Sequence, residues 1–203
     1  MAWVTNTSAA LDADTQWGAK PTTIRQVIAA AAISNAGLDK VRVTFRSGAS
    51  GEGLSISSAY IGQAADSGDA YDFQSTPVQL KFSGNNGFDI AVNSTITSDE
   101  AVFSIPAGKN IVVSFVVDDS AADNTRYKAT LSNYQYYLKT STDDAATVNT
   151  SGYTTGADAA AISLIESTEL LSQIKKVAGV AYASIKKISG VAIASVKKVS
   201  GIE

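Results

Sequence analysis

One eleven-residue phrase closes this chain and is written almost three times. It reads IKKVAGVAYAS over residues 174–184, IKKISGVAIAS over 185–195 and VKKVSGIE over 196–203. Each copy carries a lysine pair (Lys175/Lys176, Lys186/Lys187, Lys197/Lys198), a glycine (Gly179, Gly190, Gly201) and branched apolar residues. A unit this short cannot bury its own apolar side, so such repeats are completed by stacking on neighbours. The recurring apolar positions Ile174, Val177, Val180, Ile185, Ile188, Val191, Val196, Val199 and Ile202 are therefore the expected oligomerisation or anchoring seam. An eleven-residue period also fits a right-handed helical coil. A glycine in every copy and the density of Val and Ile weaken a helix and favour short stacked strands, as in a trimeric fibre or prism.

What the composition lacks narrows the chemistry. The 203 residues contain no Cys and no His. Disulfides and thiolate metal sites are excluded, and with them the Ser-His-Asp triad and the commonest general base. We therefore expect no enzyme. The opening Met1-Ala2-Trp3-Val4-Thr5-Asn6 has neither the basic start nor the apolar run of a secretory signal. No stretch has the apolar length of a membrane span. The expected history is synthesis in a host cytoplasm and a working life as part of a particle. Charge is unevenly spread: residues 174–203 carry +5, which leaves −8 on residues 1–173 out of a total of −3. An acidic body with a basic tail can associate head to tail, or the lysines can simply keep an apolar repeat soluble.

Residues 1–20 are polar apart from Trp3 and Trp17, and read as an N-terminal arm that docks elsewhere or caps a core edge. From Pro21 the chain reads as strands. Thr22 to Ile33 is an Ala/Ile/Val run with a helix-compatible middle. Val41, Val43 and Phe45 alternate with Arg42, Thr44 and Arg46, the period of a half-buried strand. Leu54 to Ile61, Val78 to Phe82, Phe88 to Val92 and Ala101 to Ile105 follow, divided by Gly, Asn and Pro turns. Ile111 to Val117 is apolar on both faces and should be central. Tyr127 to Leu131 and Tyr134 to Lys139 are shorter, and Ala160 to Leu171 is either a last strand or a helix into the repeats. The expected fold is all-β: a jelly-roll-like antiparallel β-sandwich over 21–172, with a repeat tail over 173–203.

Candidate chemistry is sparse. Asp66, Asp69 and Asp72 fall three apart in a loop, and Asp118 and Asp119 end a central strand, with Asp123 and Asn124 close behind. Oxygen clusters of this kind suit Ca²⁺, though neither follows the ordered Asp-x-Asp-x-Asp-Gly spacing, and solvated loops give the same letters. Tyr134 and Tyr136 share a strand face and either stack on a sugar or fill the sandwich interior. The lysine pairs lack interleaved aromatic residues apart from Tyr182, so nucleic acid is not an expected partner.

A family resemblance covers residues 20–172. The segments Thr23-Ile24-Arg25-Gln26, Val41-Arg42-Val43 through Ser47-Gly48, and Leu54-Ser55-Ile56 carry its first half. The second half is carried by Leu80-Lys81-Phe82-Ser83-Gly84, Ile90, Thr97-Ser98-Asp99, Phe103-Ser104-Ile105-Pro106-Ala107-Gly108 and Ile111-Val112-Val113-Ser114-Phe115. In order and spacing these resemble the jelly-roll accessory domain that precedes SGNH/GDSL-type hydrolase domains. The resemblance implies a module that packs on a catalytic domain or contacts carbohydrate. The hydrolase's Gly-Asp-Ser and Asp-x-x-His blocks are not in this sequence; Ser67-Gly68-Asp69 has those letters in another order. The repeat itself resembles Lys-Lys-(Ile/Val)-x-Gly-Val tracts of marine bacteriophage virion proteins. It implies a tail-fibre, head-fibre or decoration subunit, partnered by copies of itself, other virion proteins and host surface glycan. A carbohydrate-binding module acting alone is the other reading.

Overall fold

A computed structural model describes residues 3–16, 21–51, 53–118, 125–128, 131–156 and 159–168, and, in the repeats, 176–177, 180–181, 187–188 and 191–192. The chain divides into two compact units, Met1–Thr168 and Glu169–Glu203. The first unit opens with β1 (Val4–Ser8), β2 (Ala13–Gln16), β3 (Thr22–Ile28), β4 (Lys40–Arg46) and β5 (Leu54–Gln63). Four short strands follow: β6 (Val78–Leu80), β7 (Phe88–Ile90), β8 (Thr95–Thr97) and β9 (Ala101–Val102). The unit ends with β10 (Ile111–Val117), β11 (Thr125–Lys128), β12 (Tyr134–Thr140), β13 (Thr154–Thr155) and β14 (Ile162–Thr168).

These strands build two main antiparallel sheets. One runs β1-β14-β4-β8, with β9 also on β4; the other runs β13-β12-β3-β10-β5-β6, with β7 also on β5. Take β1, β3, β4, β5, β6/β7, β8/β9, β10 and β14 as successive strands. The first, eighth, third and sixth then share one sheet, and the second, seventh, fourth and fifth share the other. That is jelly-roll order, the double Greek key that closes two sheets on one core. β12 and β13 widen the second sheet, and β2 pairs with β11 in a small separate ladder.

The alternating pattern of β4 explains the core. Val41, Val43 and Phe45 are fully buried, whereas Arg42 turns outward. Phe45 lies 5.4 Å from Phe115, 5.8 Å from Phe82 and 5.2 Å from Phe88 between ring centroids. It thus ties β4 to the opposite sheet. β10 is buried along its whole length, as a run that is apolar except at Ser114 requires, because β3 and β5 flank it and both faces are covered. Ile111, Val113, Phe115 and Val117 face the core. Val112 belongs to a second cluster on the outer face, under loops.

Several expectations change. Of the expected arm at 1–20, the described residues 3–16 do not stand off: β1 is an edge strand of the first sheet, paired with β14, and Ala9 and Leu11 join the core. Asn6 is buried despite its polarity, because its side chain donates to Ser167 Oγ at 2.5 Å and its Oδ1 accepts from the Asn35 amide. Asp14 accepts the Ala49 and Ser50 amides at 3.0 and 2.9 Å, which fastens the second strand to the turn after β4. Trp3 covers Arg42, its ring 4.4 Å from the guanidinium, and Trp17 lies outside the described residues. The Ala-rich run becomes strand β3 followed by a single 3₁₀ turn, Ala30–Ala32. Residues Thr95–Thr97, unrecognised in the sequence, pair with β4. Of the open choice at 160–171, the described residues form strand β14, and residues 169–171 lie outside them.

In the second unit, β15 (Lys176–Val177) pairs with β16 (Val180–Ala181), and β17 (Lys187–Ile188) pairs with β18 (Val191–Ala192). Val177 faces Val180 and Ile188 faces Val191, each pair across two intervening residues. The two hairpins thus share one register, eleven residues apart. Ile174, Ile185, Val196, Val199 and Ile202 lie outside the described residues. No helix among the described residues is long and apolar enough to cross a membrane.

Truncating Phe45 to alanine should cost about 3–5 kcal/mol, the range for losing a buried aromatic ring. Urea unfolding of the Phe45→Ala chain measures it, and a loss below about 1 kcal/mol would show that the core does not turn on this ring.

Candidate functional site

The outer face of the second sheet holds the most organised polar chemistry in the body. Along β3, Ile24 and Ile28 point into the sandwich, so Thr23, Arg25 and Val27 point the other way. Two loops, 63–77 after β5 and 141–153 after β12, close over that outer face and leave Arg25 without solvent exposure. Its two terminal nitrogens bond to backbone. Nη1 donates to Tyr71 O at 2.9 Å, and Nη2 donates to Asp144 O at 2.9 Å and Thr147 O at 2.5 Å. Its plane lies 4.8 Å from the Phe73 ring and 5.5 Å from the Tyr153 ring. The Asp72 carboxylate stands 3.9 Å away, and its Oδ1 accepts the Thr150 amide at 3.0 Å. A buried cation is tolerated when its charge is paired and its donors are used; Asp72 and the three carbonyls meet this for Nη1 and Nη2, while Nε is buried without a hydrogen-bond partner.

Around this cation Tyr71 packs against Tyr137 and Tyr153, with ring centroids 4.9 and 4.8 Å apart. Asp144 gathers Lys139 Nζ at 3.0 Å, Thr150 Oγ1 at 2.8 Å and the Tyr153 hydroxyl. Burial opposes the charge on Asp144, but these three donors outweigh it and hold the carboxyl below the usual carboxylate range. Burial pushes the Tyr71 phenol up to about 12, reinforced by its hydrogen bond to Asp69. Burial raises Tyr153 in the same direction, followed by its bond to Asp144. The arrangement clamps two loops onto a sheet. Neither Arg25 nor Asp144 was singled out by sequence pattern; the signal was a lone cation inside a strand of Thr, Ile and Val, with aspartate- and tyrosine-bearing loops downstream.

The residues that the sequence did single out fall elsewhere. Tyr134 and Tyr136 are 9 % and 4 % exposed and belong to the main core, so neither offers a face to a sugar. Tyr134 meets Thr7 through its hydroxyl. Tyr136 is sealed by Gly156, where a Cβ would lie 1.7 Å from its ring. The strand's alternation settles the matter, because the face that Tyr134 and Tyr136 share is the one turned to the first sheet.

Asp66, Asp69 and Asp72 do not converge. Asp66 pairs with Lys109 at 2.8 and 3.0 Å across an open groove of about 270 Å³ lined by Ala64, Ala65, Gly108 and Asn110. Asp69 takes the Tyr71 hydroxyl at 2.7 Å, and Asp72 turns inward to Arg25. Asp118 donates its amide to Ser55 O, while Asp119, Asp123 and Asn124 lie outside the described residues. Among the described residues no three acidic side chains gather as a metal cage.

Replacing Arg25 with methionine strands three carbonyls and Asp72, and should cost about 3–5 kcal/mol. Limited proteolysis should then cut within 63–77 or 141–153 while the rest of the sandwich stays resistant; unchanged stability would sink the clamp. The tyrosines give a pH test. A folded-state phenol held above its unfolded value of 10.0 adds stability that is complete below that pH. That stability is lost as the pH rises from 10 through about 12. Urea midpoints should fall over this window, and Tyr71→Phe should flatten the fall; an equal slope in both chains would exclude Tyr71 as its source.

No family model matches the chain, and no curated protein matches it either.

Proposed function

We propose that this chain is a non-enzymatic structural subunit of a bacteriophage particle, a fibre or decoration subunit, whose C-terminal repeats join it to copies of itself. The observation that carries the proposal is the pair of hairpins that repeat one register every eleven residues. A two-stranded hairpin of this size is marginal in water by itself, so it asks for a partner. A repeat whose copies are equivalent is best partnered by the same repeat in sister chains. Three chains around one axis would bring Val177, Val180, Ile188 and Val191 to equivalent heights, with Ile174, Ile185, Val196, Val199 and Ile202 continuing the seam. The jelly roll has its own core and is the body such a stalk would present to neighbours or to the host.

Two further points support the reading. A chain without His or Cys lacks the usual nucleophile-activating and metal-binding side chains. Arg25, at the centre of the best-organised polar cluster in the body, directs its hydrogen bonds at loop backbone, the work of a clamp and not of a reaction centre. The phage setting rests on the resemblance of the repeat. We assign no sugar contact to Tyr134 or Tyr136.

The test is truncation after Thr168. Light scattering should give an oligomer, a trimer on this proposal, for the full chain and a folded monomer for the truncated one. An oligomer of the same size without residues 169–203 would overturn the assignment of assembly to the repeats.

A further inference from the structure

Between β6 and β7 the chain makes a held turn followed by an exposed bend. Phe82 and Asn85 face each other across Ser83 and Gly84, whose φ values of 52° and 83° belong to a two-residue hairpin turn. The Asp99 carboxylate accepts the Ser83 and Gly84 amides at 3.1 and 2.8 Å and fixes that turn. Asn86 follows, exposed to solvent, and its Oδ1 accepts a hydrogen bond from the Lys81 ammonium. Gly87 comes next, in the only Asn-Gly pair of the sequence. A Cβ at this position would lie 2.5 Å from Ile56 O and 2.8 Å from Ser57 O, so packing against β5 demands glycine.

This combination has a chemical consequence. Without a Cβ on Gly87, its backbone nitrogen can approach the Asn86 side-chain carbonyl unhindered. When that nitrogen attacks Cγ, negative charge develops on Oδ1, the atom that the Lys81 ammonium already contacts. A cation placed where an oxyanion develops lowers the barrier to acyl attack. We propose that Asn86 is a self-modification site, at which Lys81 promotes ring closure onto Gly87. A bond forms between the Gly87 nitrogen and Asn86 Cγ. The amide nitrogen leaves as ammonia and carries off the proton that the backbone nitrogen gives up. Water then opens the five-membered ring at either carbonyl, leaving aspartate or isoaspartate at position 86. Nothing is oxidised or reduced, and water is the sole co-reactant. The exposed bend gains a carboxylate beside Lys81, and the isoaspartate product adds a methylene to the backbone leading into β7.

The test is to hold the full chain at mildly alkaline pH and follow the peptide around residue 86 by mass spectrometry, with an isoaspartate-specific methylation assay. Conversion at Asn86 should be the fastest amide loss in the folded chain. It should slow by about tenfold in Lys81→Met, less than the loss of an oxyanion donor costs in a water-excluded active site. Lys81→Arg, which keeps a donor cation, should restore most of the rate, and this separates the chemistry from a folding defect. Equal rates in the parent and Lys81→Met chains, or no conversion, would overturn the proposal. So would loss of ammonia without uptake of water in a product cross-linked between Lys81 and Asn86, because lysine would then be the nucleophile.

Discussion

The body depends on a sheet that is covered on both sides. Its inner face is packed on the first sheet by the Phe45, Phe115, Phe82 and Phe88 cluster. Its outer face is roofed by two loops that would be ordinary solvent-exposed connections without Arg25. Loop backbone carries carbonyls that must be satisfied once water is excluded. Arg25 meets three of them from one side chain, one in the first loop at Tyr71 and two in the second at Asp144 and Thr147. The buried charge and the buried carbonyls each answer the other's cost, and the aromatic cluster beside them excludes the water that would otherwise compete.

That double coverage also explains which parts of the fold were legible. β10 was placed centrally because its run of Ile, Val and Phe leaves no wet face, and all seven of its positions are buried. β4 was legible for the opposite reason: its strict alternation matches a strand with one wet side. β1 and β8 escaped because their letters are polar. Asn6 and Thr7 are buried through side-chain hydrogen bonds, which hydrophobic periodicity does not register. The Tyr134 and Tyr136 pair was correctly put on one face of a strand, but spacing alone cannot say which face turns inward. Arg25 shows the same limit from the other direction, since a charged letter in a strand reads as exposed until the loops that cover it are known.

The aspartates of the 63–77 loop teach a related lesson about sites. Three carboxylates at even spacing looked like a ligand set, yet each serves a different end of the loop. Asp72 turns in toward the buried cation, Asp69 holds a phenol, and Asp66 reaches across to Lys109. Spacing along a loop does not bring side chains together unless the backbone curls around a common centre, as ordered calcium loops do with their glycine.

The shared register of the two repeat hairpins has an evolutionary consequence. Insertion or removal of one whole phrase returns every later position to a place equivalent to its own, so side-chain alternation and strand pairing survive the change. Near-identical stretches of coding sequence are also where replication slippage gains or loses a unit. A repeat built on this plan can lengthen or shorten in steps of one hairpin without any change in the sequence of the body.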